Sequence, residues 1–175
     1  MAPRAVLLGL GANLGRPTMQ LQEAVRRLAS AGHVVRVSGI YRTAPLGPPQ
    51  PDFVNAVAVL ETDLPPLELL RSTQAIEHEM GRVRGVRNGP RLIDIDLLDY
   101  AGEVFSAPGL ALPHPRLAER AFVLVPLAEV APRWRHPVVG YTARELLEHG
   151  AALDGGVERI GDCVASSGDE RLNAT

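Results

Sequence analysis

Two aspartates alternate with apolar residues in the segment from Leu92 to Leu98. Because successive side chains of a strand point to opposite faces, Asp94 and Asp96 would lie side by side on one face. The rise of a strand separates their Cα atoms by ~6.5–7 Å, so both carboxylates could reach a pair of Mg²⁺ ions ~3.5–4 Å apart, as in phosphoryl-transfer sites. Oxygen ligands without a nearby cysteine or histidine favour Mg²⁺ over zinc.

Four arginines precede this acidic pair, namely Arg82, Arg84, Arg87 and Arg91. Guanidinium groups bind phosphate oxygens bidentately and stay charged while they do so. Arginines and carboxylates together suit a polyanion that must be both held and activated, and a nucleoside triphosphate with Mg²⁺ is the simplest candidate. The competing interpretation is an exposed strand that forms salt bridges with a solvated arginine loop. The occurrence of both features in tandem favours the nucleotide site.

Other polar residues give weaker signals. Gln74 and Glu77 are neighbours on one flank of a predicted helix and could bind a purine edge or a ribose, although an ordinary helix surface explains the spacing alone. His114 lies in a rigid Pro-His-Pro turn and could face a ligand, with Arg120 and Phe122 shortly after it. Taken separately, each of these three residues is more typical of a structural role.

The composition excludes several chemistries. The chain has 175 residues, a formal net charge of -2 and 46% hydrophobic residues, which suffices for one domain with a hydrophobic core. All 18 basic residues are arginine, so P-loop and Schiff-base mechanisms, which need a lysine, are excluded. Cys163 is the only cysteine and rules out a disulfide framework. No run approaches the ~18 apolar residues of a membrane span, so we expect a cytoplasmic protein without membrane association.

The first hundred residues predict the element order β-α-β-β-α-β. The predicted strands cover residues 4–10, 34–41, 53–60 and 92–98, and the predicted helices run from Pro17 to about Ala31 and from Asp63 to Gly81. A proline-rich loop at 42–52 separates the second and third strands. This order indicates an α+β fold of the ferredoxin-like, split βαβ kind, with an antiparallel sheet and both helices on one face.

The remainder of the chain predicts extensions of this core. We expect a short hairpin at about 97–105 and helices at about 116–130 and 142–149. Residues 1–150 would then form a single domain. Residues 151–175 are polar and rich in glycine and serine, which predicts a mobile C-terminal tail.

A set of short motifs carries a resemblance to a known family. The motifs are Gly11-Ala-Asn-Leu-Gly15, Tyr41-Arg-Thr-Ala-Pro45-Leu-Gly47, Asp52-Phe-Val-Asn55, Gly89-Pro-Arg91-Leu-Ile-Asp94-Ile-Asp96, and Pro113-His-Pro-Arg116 with Glu119-Arg-Ala-Phe-Val123. From about residue 4 to 132, the chain resembles the 6-hydroxymethyl-7,8-dihydropterin pyrophosphokinase family of folate biosynthesis. The Arg-x-x-Asp-x-Asp element is highly specific, whereas the glycine loop is a weak signal.

The resemblance implies that diphosphate is transferred from ATP to the hydroxymethyl group of the pterin, which releases AMP. It implies two Mg²⁺ ions on Asp94 and Asp96, with Arg82 and Arg91 as the principal catalytic clamps on the transferred group. The residues implied around ATP are Gln74, Glu77, Arg82, Arg84, Arg87, Arg91, His114 and Arg120.

For the pterin, the resemblance implies a place between the rings of Phe53 and Phe122, which suits a flat heterocycle. Asn55 and the backbone of Thr43, Ala44 and Leu46 would bind its donor and acceptor edge. The chain departs from the family pattern at Asn88, where some members have tryptophan. Without that ring, we expect the closed site to be covered in a different way.

Two other classes of function share this fold. An RNA-binding module would stack bases on aromatic residues of its central strands, but the predicted strands 4–10 and 92–98 contain none. A regulatory domain that binds a small molecule would not need the acidic pair and the arginines together. We therefore expect an enzyme that acts on ATP and the reduced pterin, as a monomer and without a nucleic-acid partner.

Overall fold

The computed structural model describes residues 2–45, 47–83, 85, 89–150 and 156–163. Its strands are β1 (Arg4–Ala12), β2 (His33–Val37), β3 (Gly39–Thr43), β4 (Phe53–Thr62), β5 (Asp94–Tyr100), β6 (Phe105–Ala107), β7 (Leu110–Leu112) and β8 (Val157–Asp162). Its α-helices are α1 (Pro17–Arg27), α2 (Pro66–Glu79), α3 (Ala121–Val130) and α4 (Ala143–Glu148). Within the described ranges, no helix is both long and apolar enough to cross a membrane.

The central feature of the fold is an antiparallel sheet in the strand order β5-β1-β4-β3-β8. Strand β1 pairs with β4 along its whole length, from Arg4 opposite Thr62 to Ala12 opposite Val54. Strands β3 and β2 pair with successive parts of β4, at residues 53–55 and 58–61. The predicted mixture of helices packed on an antiparallel sheet is therefore confirmed.

Each face of the sheet carries its own hydrophobic cluster. On one face, the apolar stripes of α1 and α2 pack on alternate residues of β1, β4 and β5. On the opposite face, α3 and α4 pack on the remaining alternate residues, including Leu7, Val57 and Leu98. Because strand side chains alternate between faces, one sheet supports both helical layers. As predicted, α1 and α2 share one face.

The structure corrects several element boundaries. The predicted strand 34–41 is divided at Ser38, which is buried and whose hydroxyl accepts a 2.9 Å hydrogen bond from the backbone N of Val57. Helix α2 begins at Pro66 rather than Asp63, since prolines fit the first positions of a helix. Strand β5 begins at Asp94 instead of residue 92. The predicted hairpin at 97–105 lies further along the chain, between β6 and β7.

The C-terminal residues differ from the expectation of a mobile tail. Val157–Asp162 form β8, an edge strand that pairs with β3 from Gly39 to Thr43. Cys163, directly after this strand, is buried in the cluster beneath α1 and α2 and is a free thiol. Residues 151–155 and 164–175 lie outside the described residues.

Candidate active site

A cavity of about 320 Å³ lies where β1 and β3 end and where β4, β5 and α3 begin. Most of the residues predicted for the site line it: Thr43, Ala44, Phe53, Asn55, Arg82, Arg91, Asp94, Asp96, His114, Arg120 and Phe122. Gln74 and Glu77 are not among the lining residues, and Gln74 is exposed on α2. Leu46, Arg84 and Arg87 lie outside the described residues.

The acidic pair faces the cavity from the start of β5. Asp94 and Asp96 stand opposite Gly11 and Gly9 of β1, whose missing side chains leave room beside the carboxylates. Burial and the charge of Asp94 raise the pKa of Asp96 to about 6. A cation shared between two such carboxylates would remove their repulsion, so the pair fits a divalent ion with oxygen ligands.

The acidic pair would supply only part of a metal coordination shell. In the part of the chain that the structure describes, no group of three or more His, Cys, Asp or Glu side chains is arranged to hold a metal ion. Mg²⁺ is typically held by one or two carboxylates, with water and substrate phosphates as the other ligands. The donor set therefore matches a metal ion that enters with a phosphate substrate.

Arg82 is held at the cavity by two carboxylates. Its Nη1 donates to Asp94 at 2.9 Å and also to Glu77, which is buried behind it. Glu77 in turn accepts a 3.1 Å hydrogen bond from the backbone N of Ile95. Burial raises the pKa of Glu77 to about 7, against the opposing charge of Arg82. In this structure Glu77 therefore supports Arg82 and β5 from outside the cavity lining.

Asn13 joins the two loops that border the cavity. Its side-chain oxygen accepts a 2.8 Å hydrogen bond from the backbone N of Arg91, and its own backbone N donates to the carbonyl of Arg91 at 2.9 Å. Its amide nitrogen donates to Gln50 and to the carbonyl of Pro51, both at 2.9 Å. This buried residue was not predicted as part of the site, although it lies inside the Gly11–Gly15 motif.

His114 and two arginines line another part of the cavity. The backbone N of His114 donates to the carbonyl of Leu98 at 2.8 Å, and its Nδ1 accepts from the backbone N of Arg116 at 3.1 Å. Burial and the charge of Arg120 lower the pKa of His114, which favours a neutral ring with a donor at Nε2. Nε of Arg120 is buried without a hydrogen-bond partner among the described residues. An anionic ligand would satisfy this donor.

Arg116 also lines the cavity, and its role was not predicted from the sequence. It is half-exposed, and its Nε lies 3.7 Å from Glu119. Burial and the charge of Arg116 both lower the pKa of Arg120. The last arginine of the Pro-His-Pro-Arg motif was the available signal, because several cations around one cavity predict an anionic ligand.

The part of the cavity that Phe53 and Phe122 line is called the aromatic slot. Phe53 and Phe122 line it from the start of β4 and the start of α3. Asn55 is buried beside them and donates a 3.0 Å hydrogen bond to the Thr43 hydroxyl. The guanidinium of Arg120 lies 5.5 Å from the centre of the Phe122 ring, a cation–π contact that joins the two halves of the cavity.

Acidic, cationic and aromatic groups around one cavity suit an enzyme that transfers phosphate groups to a small flat substrate. The family model described as 7,8-dihydro-6-hydroxymethylpterin-pyrophosphokinase matches residues 7–132. The chain therefore belongs to this family.

Named relatives agree with this assignment. The chain is 43% identical over 144 residues to a 2-amino-4-hydroxy-6-hydroxymethyldihydropteridine pyrophosphokinase of Synechocystis, which covers 81% of this chain and 74% of the relative. It is 48% identical over 136 residues to the Pseudomonas aeruginosa protein of the same name, covering 75% of this chain and 83% of that protein. It is 47% identical over 157 residues to the Methylorubrum extorquens protein of the same name, and this match covers 87% of this chain and 96% of that protein.

Solved structures share the fold. The wild-type HPPK-DHPS of Plasmodium falciparum superimposes with a TM-score of 0.68 at 15% sequence identity. The match covers 85% of this chain and 45% of that longer chain. These comparisons support the predicted enzyme and give no support to the RNA-binding and regulatory alternatives.

Proposed function

We propose that this protein transfers the diphosphate group of ATP to the hydroxymethyl group of 6-hydroxymethyl-7,8-dihydropterin, a reaction of folate biosynthesis that yields AMP and the pterin diphosphate. The observation that carries the proposal is that one cavity is lined by Asp94, Asp96 and several arginines together with Phe53 and Phe122. The names of the curated relatives identify the same reaction.

In the ATP half, Arg82 and Arg91 would clamp the phosphates that move, with Arg120 and His114 as further contacts. The buried Nε of Arg120, which has no hydrogen-bond acceptor among the described residues, supports this role because a phosphate oxygen would supply one. We add Arg116 as a phosphate contact at the rim of the cavity. Of the other residues proposed for ATP, Arg84 and Arg87 lie outside the described residues.

For Gln74 and Glu77, we revise the proposed role. Neither side chain lines the cavity. We infer that Glu77 acts on ATP through Arg82, whose guanidinium it holds in place from its buried position. Gln74 is exposed on the same helix and would reach the nucleotide only at the outer rim of the site.

Asp94 and Asp96 would hold Mg²⁺, and we propose two ions. When bound, such ions neutralise oxygen charge on the polyphosphate and on the leaving group. Asp94 already balances the charge of Arg82, at 2.9 Å. Together with the contact to Glu77, this contact holds the guanidinium beside the carboxylate that would bind the metal.

In the pterin half, the rings of Phe53 and Phe122 would hold the heterocycle between them. One amide N–H of Asn55 donates to Thr43 and fixes the orientation of the amide, which leaves the second N–H and the side-chain oxygen for the amide-like edge of the pterin. The backbone of Thr43 and Ala44 completes this edge, and Leu46, which lies outside the described residues, is proposed from the family resemblance.

The reaction would join the two halves of the cavity. The hydroxymethyl oxygen of the pterin attacks the β-phosphorus, a new O–P bond forms, and the bond between the β-phosphorus and the bridging oxygen to the α-phosphorus breaks. The hydroxyl proton is released and AMP leaves with the bridging oxygen. Arg82 and Arg91 hold the transferred β,γ unit, so that positioning and charge stabilisation supply the rate enhancement.

The topology of the core and several properties of the whole protein belong to the same proposal. We infer a ferredoxin-like βαββαβ core, in which β2 and β3 together take the place of one strand; the strand order β5-β1-β4-β3 and its antiparallel pairing support this topology. We also infer a cytoplasmic monomer that does not bind nucleic acid. The free thiol of Cys163 agrees with a reducing compartment.

The proposal is tested by measuring AMP in mixtures of the protein, ATP, the reduced pterin and Mg²⁺. AMP should form only when all four components are present, and excess EDTA should stop its formation. AMP formation that does not need the pterin, or that continues in EDTA, would contradict the proposed reaction.

A further inference from the structure

A carboxylate outside the cavity joins three elements of the fold. Glu129, at the end of α3, accepts hydrogen bonds from the backbone N of Gly39 at 2.6 Å and from the Tyr41 hydroxyl at 2.8 Å, both on β3. It also accepts a hydrogen bond from Nε of Arg159 on β8, at 3.1 Å. One side chain therefore ties the helix to two neighbouring strands of the sheet.

This cluster is closely packed. The Arg159 guanidinium lies so near Gly39 that a Cβ atom at that position would stand 2.5 Å from Nε of Arg159. Asp162 accepts a second hydrogen bond from the same guanidinium, at 2.8 Å. The missing side chain at Gly39 thus allows β8 to place its arginine against Glu129.

The Glu129 carboxylate is charged at neutral pH. Burial raises its pKa, but the hydrogen bonds from Tyr41, Gly39 and Arg159 together hold that pKa below its ordinary value. Burial and the neighbouring carboxylate raise the pKa of Tyr41 to about 12, so the phenol stays protonated and donates. Hydrogen bonds to a charged acceptor are the stronger kind.

The connected elements both reach the aromatic slot. Helix α3 carries Phe122 near its first residue, and Glu129 follows seven residues later on the same helix, ~10.5 Å along its axis. Strand β3 ends at Thr43, which pairs with Phe53 of β4. The Glu129 cluster therefore joins the helix that carries one ring to the strand that aligns the other ring.

We propose that Glu129 is a positioning residue for the pterin slot, and that β8 contributes to this positioning through Arg159. The cluster fixes α3 relative to β3 and β4 and thereby sets the separation of the Phe53 and Phe122 rings. The inference rests on the pterin-binding role proposed above for these two rings. A cluster that only stabilises the fold would leave the substrate affinities of the folded protein unchanged.

The test is calorimetric titration of pterin and of MgATP, each alone, at a temperature where every variant is folded. Glu129→Ala should weaken pterin binding about 10-fold and change MgATP affinity less than about 2-fold, because a displaced α3 alters the slot while Arg82 and Arg91, the principal phosphate contacts, lie outside that helix. Glu129→Gln retains an acceptor oxygen and should restore part of the pterin affinity. Glu148→Ala is the matched control, since Glu148 is an exposed carboxylate on α4 that pairs with Arg144.

Tyr41→Phe is the second variant, and it decides the matter alone if Glu129→Ala does not fold. It removes one of the three donors and keeps the ring, so pterin affinity should fall by a smaller factor in the same direction. Pterin affinities equal to wild type, or equal losses for pterin and MgATP, would overturn the inference. Absence of pterin binding by the wild-type protein, also in the presence of a non-hydrolysable MgATP analogue, would contradict the proposed function itself and remove the inference with it.

Discussion

At the residue scale, the acidic pair concentrates negative charge at one point of an otherwise cationic cavity. Asp94 has Arg82 as a partner at 2.9 Å, whereas the pKa of Asp96 is raised to about 6 by burial and by its neighbour. Such an arrangement is unfavourable in the empty protein and becomes favourable when a cation is shared. The repulsion between the two carboxylates destabilises the empty protein, so the pair indicates a functional site rather than a stabilising contact.

Asp94→Asn and Asp96→Asn should therefore each fold and lose most of the activity. Each substitution removes a charged ligand from ions that contribute several kcal/mol to the transition state, so we expect kcat/KM to fall on the order of 10³-fold or more. Asp63→Asn, at an exposed position between β4 and α2, is the control. Near-normal rates in both site variants would rule out the proposed metal ligands.

Phe122→Ala should weaken pterin binding and leave MgATP binding nearly unchanged. The ring is assigned to the heterocycle, and the loss of one stacking face costs ~1–3 kcal/mol by analogy with bases stacked on aromatic side chains. Calorimetry with each ligand separately measures both affinities. Phe105→Leu, which alters a ring packed against the α1 and α2 layer, serves as the comparison. Equal losses for both ligands would assign Phe122 to the core.

Local spacing alone predicted the acidic pair and the arginines before it, whereas the family resemblance supplied the proposed pterin contacts. Asp94 and Asp96 share a face because of strand alternation, which neighbouring residues decide. Asn13 acquires its role from partners distant in sequence, Gln50 and Arg91. Such pairings depend on the complete fold and were not predictable from spacing.

At the element scale, the loops on the two sides of the cavity are connected through Asn13, the residue that follows β1. Asn13→Ala should raise KM for both substrates, because it releases the loop at 42–52 and leaves the backbone N of Arg91 without its acceptor. An unsatisfied buried group of this kind costs about 1–3 kcal/mol. Steady-state kinetics with each substrate varied in turn gives the two KM values.

Gln20→Ala is the matched control for this prediction. Gln20 accepts from the backbone N of Arg16 and donates to the carbonyl of Leu92, so its contacts lie on the arginine side alone. Its removal should leave the pterin KM unchanged. A pterin KM that is unaffected by Asn13→Ala would disprove the connection between the loops.

The elements themselves were predictable where a periodic apolar pattern determines them. Strands β1, β4 and β5 and helices α1 and α2 follow from such patterns. Strand β8 does not, because its residues are mostly exposed and its stability comes from pairing with β3 and from the contact between Arg159 and Glu129. Composition alone therefore predicted a tail where the structure has an edge strand.

At the scale of the whole molecule, two helical layers enclose one sheet, and the cavity draws on both. Arg82 follows α2 on one side, whereas Phe122 belongs to α3 on the other. The contacts of Glu129 fasten the second layer to the sheet edge. The integrity of this layer should therefore depend on the ionisation of that carboxylate.

The free energy of unfolding should reflect this dependence. Because the folded pKa of Glu129 lies below its ordinary value of 4.5, its contribution is complete above that value and is lost as the pH falls through the folded pKa. Tyr41 titrates only near 12, and the pKa of Arg159 is raised, so neither changes charge there. Urea titrations measure the difference in the free energy of unfolding between wild type and Glu129→Gln. This difference should be constant between roughly pH 5 and 8 and should shrink below about pH 4.5. A difference that grows on acidification would contradict this assignment.

The most direct measurement for the whole account identifies which phosphorus is attacked. Arg82 and Arg91 border the acidic pair in one cavity, which suits a β,γ unit that moves as one piece. Phosphorus NMR of a single-turnover mixture of protein, MgATP and reduced pterin should show AMP and pterin diphosphate in equal amounts. ADP together with a pterin monophosphate would contradict diphosphate transfer, even if every proposed site residue contacts the substrates.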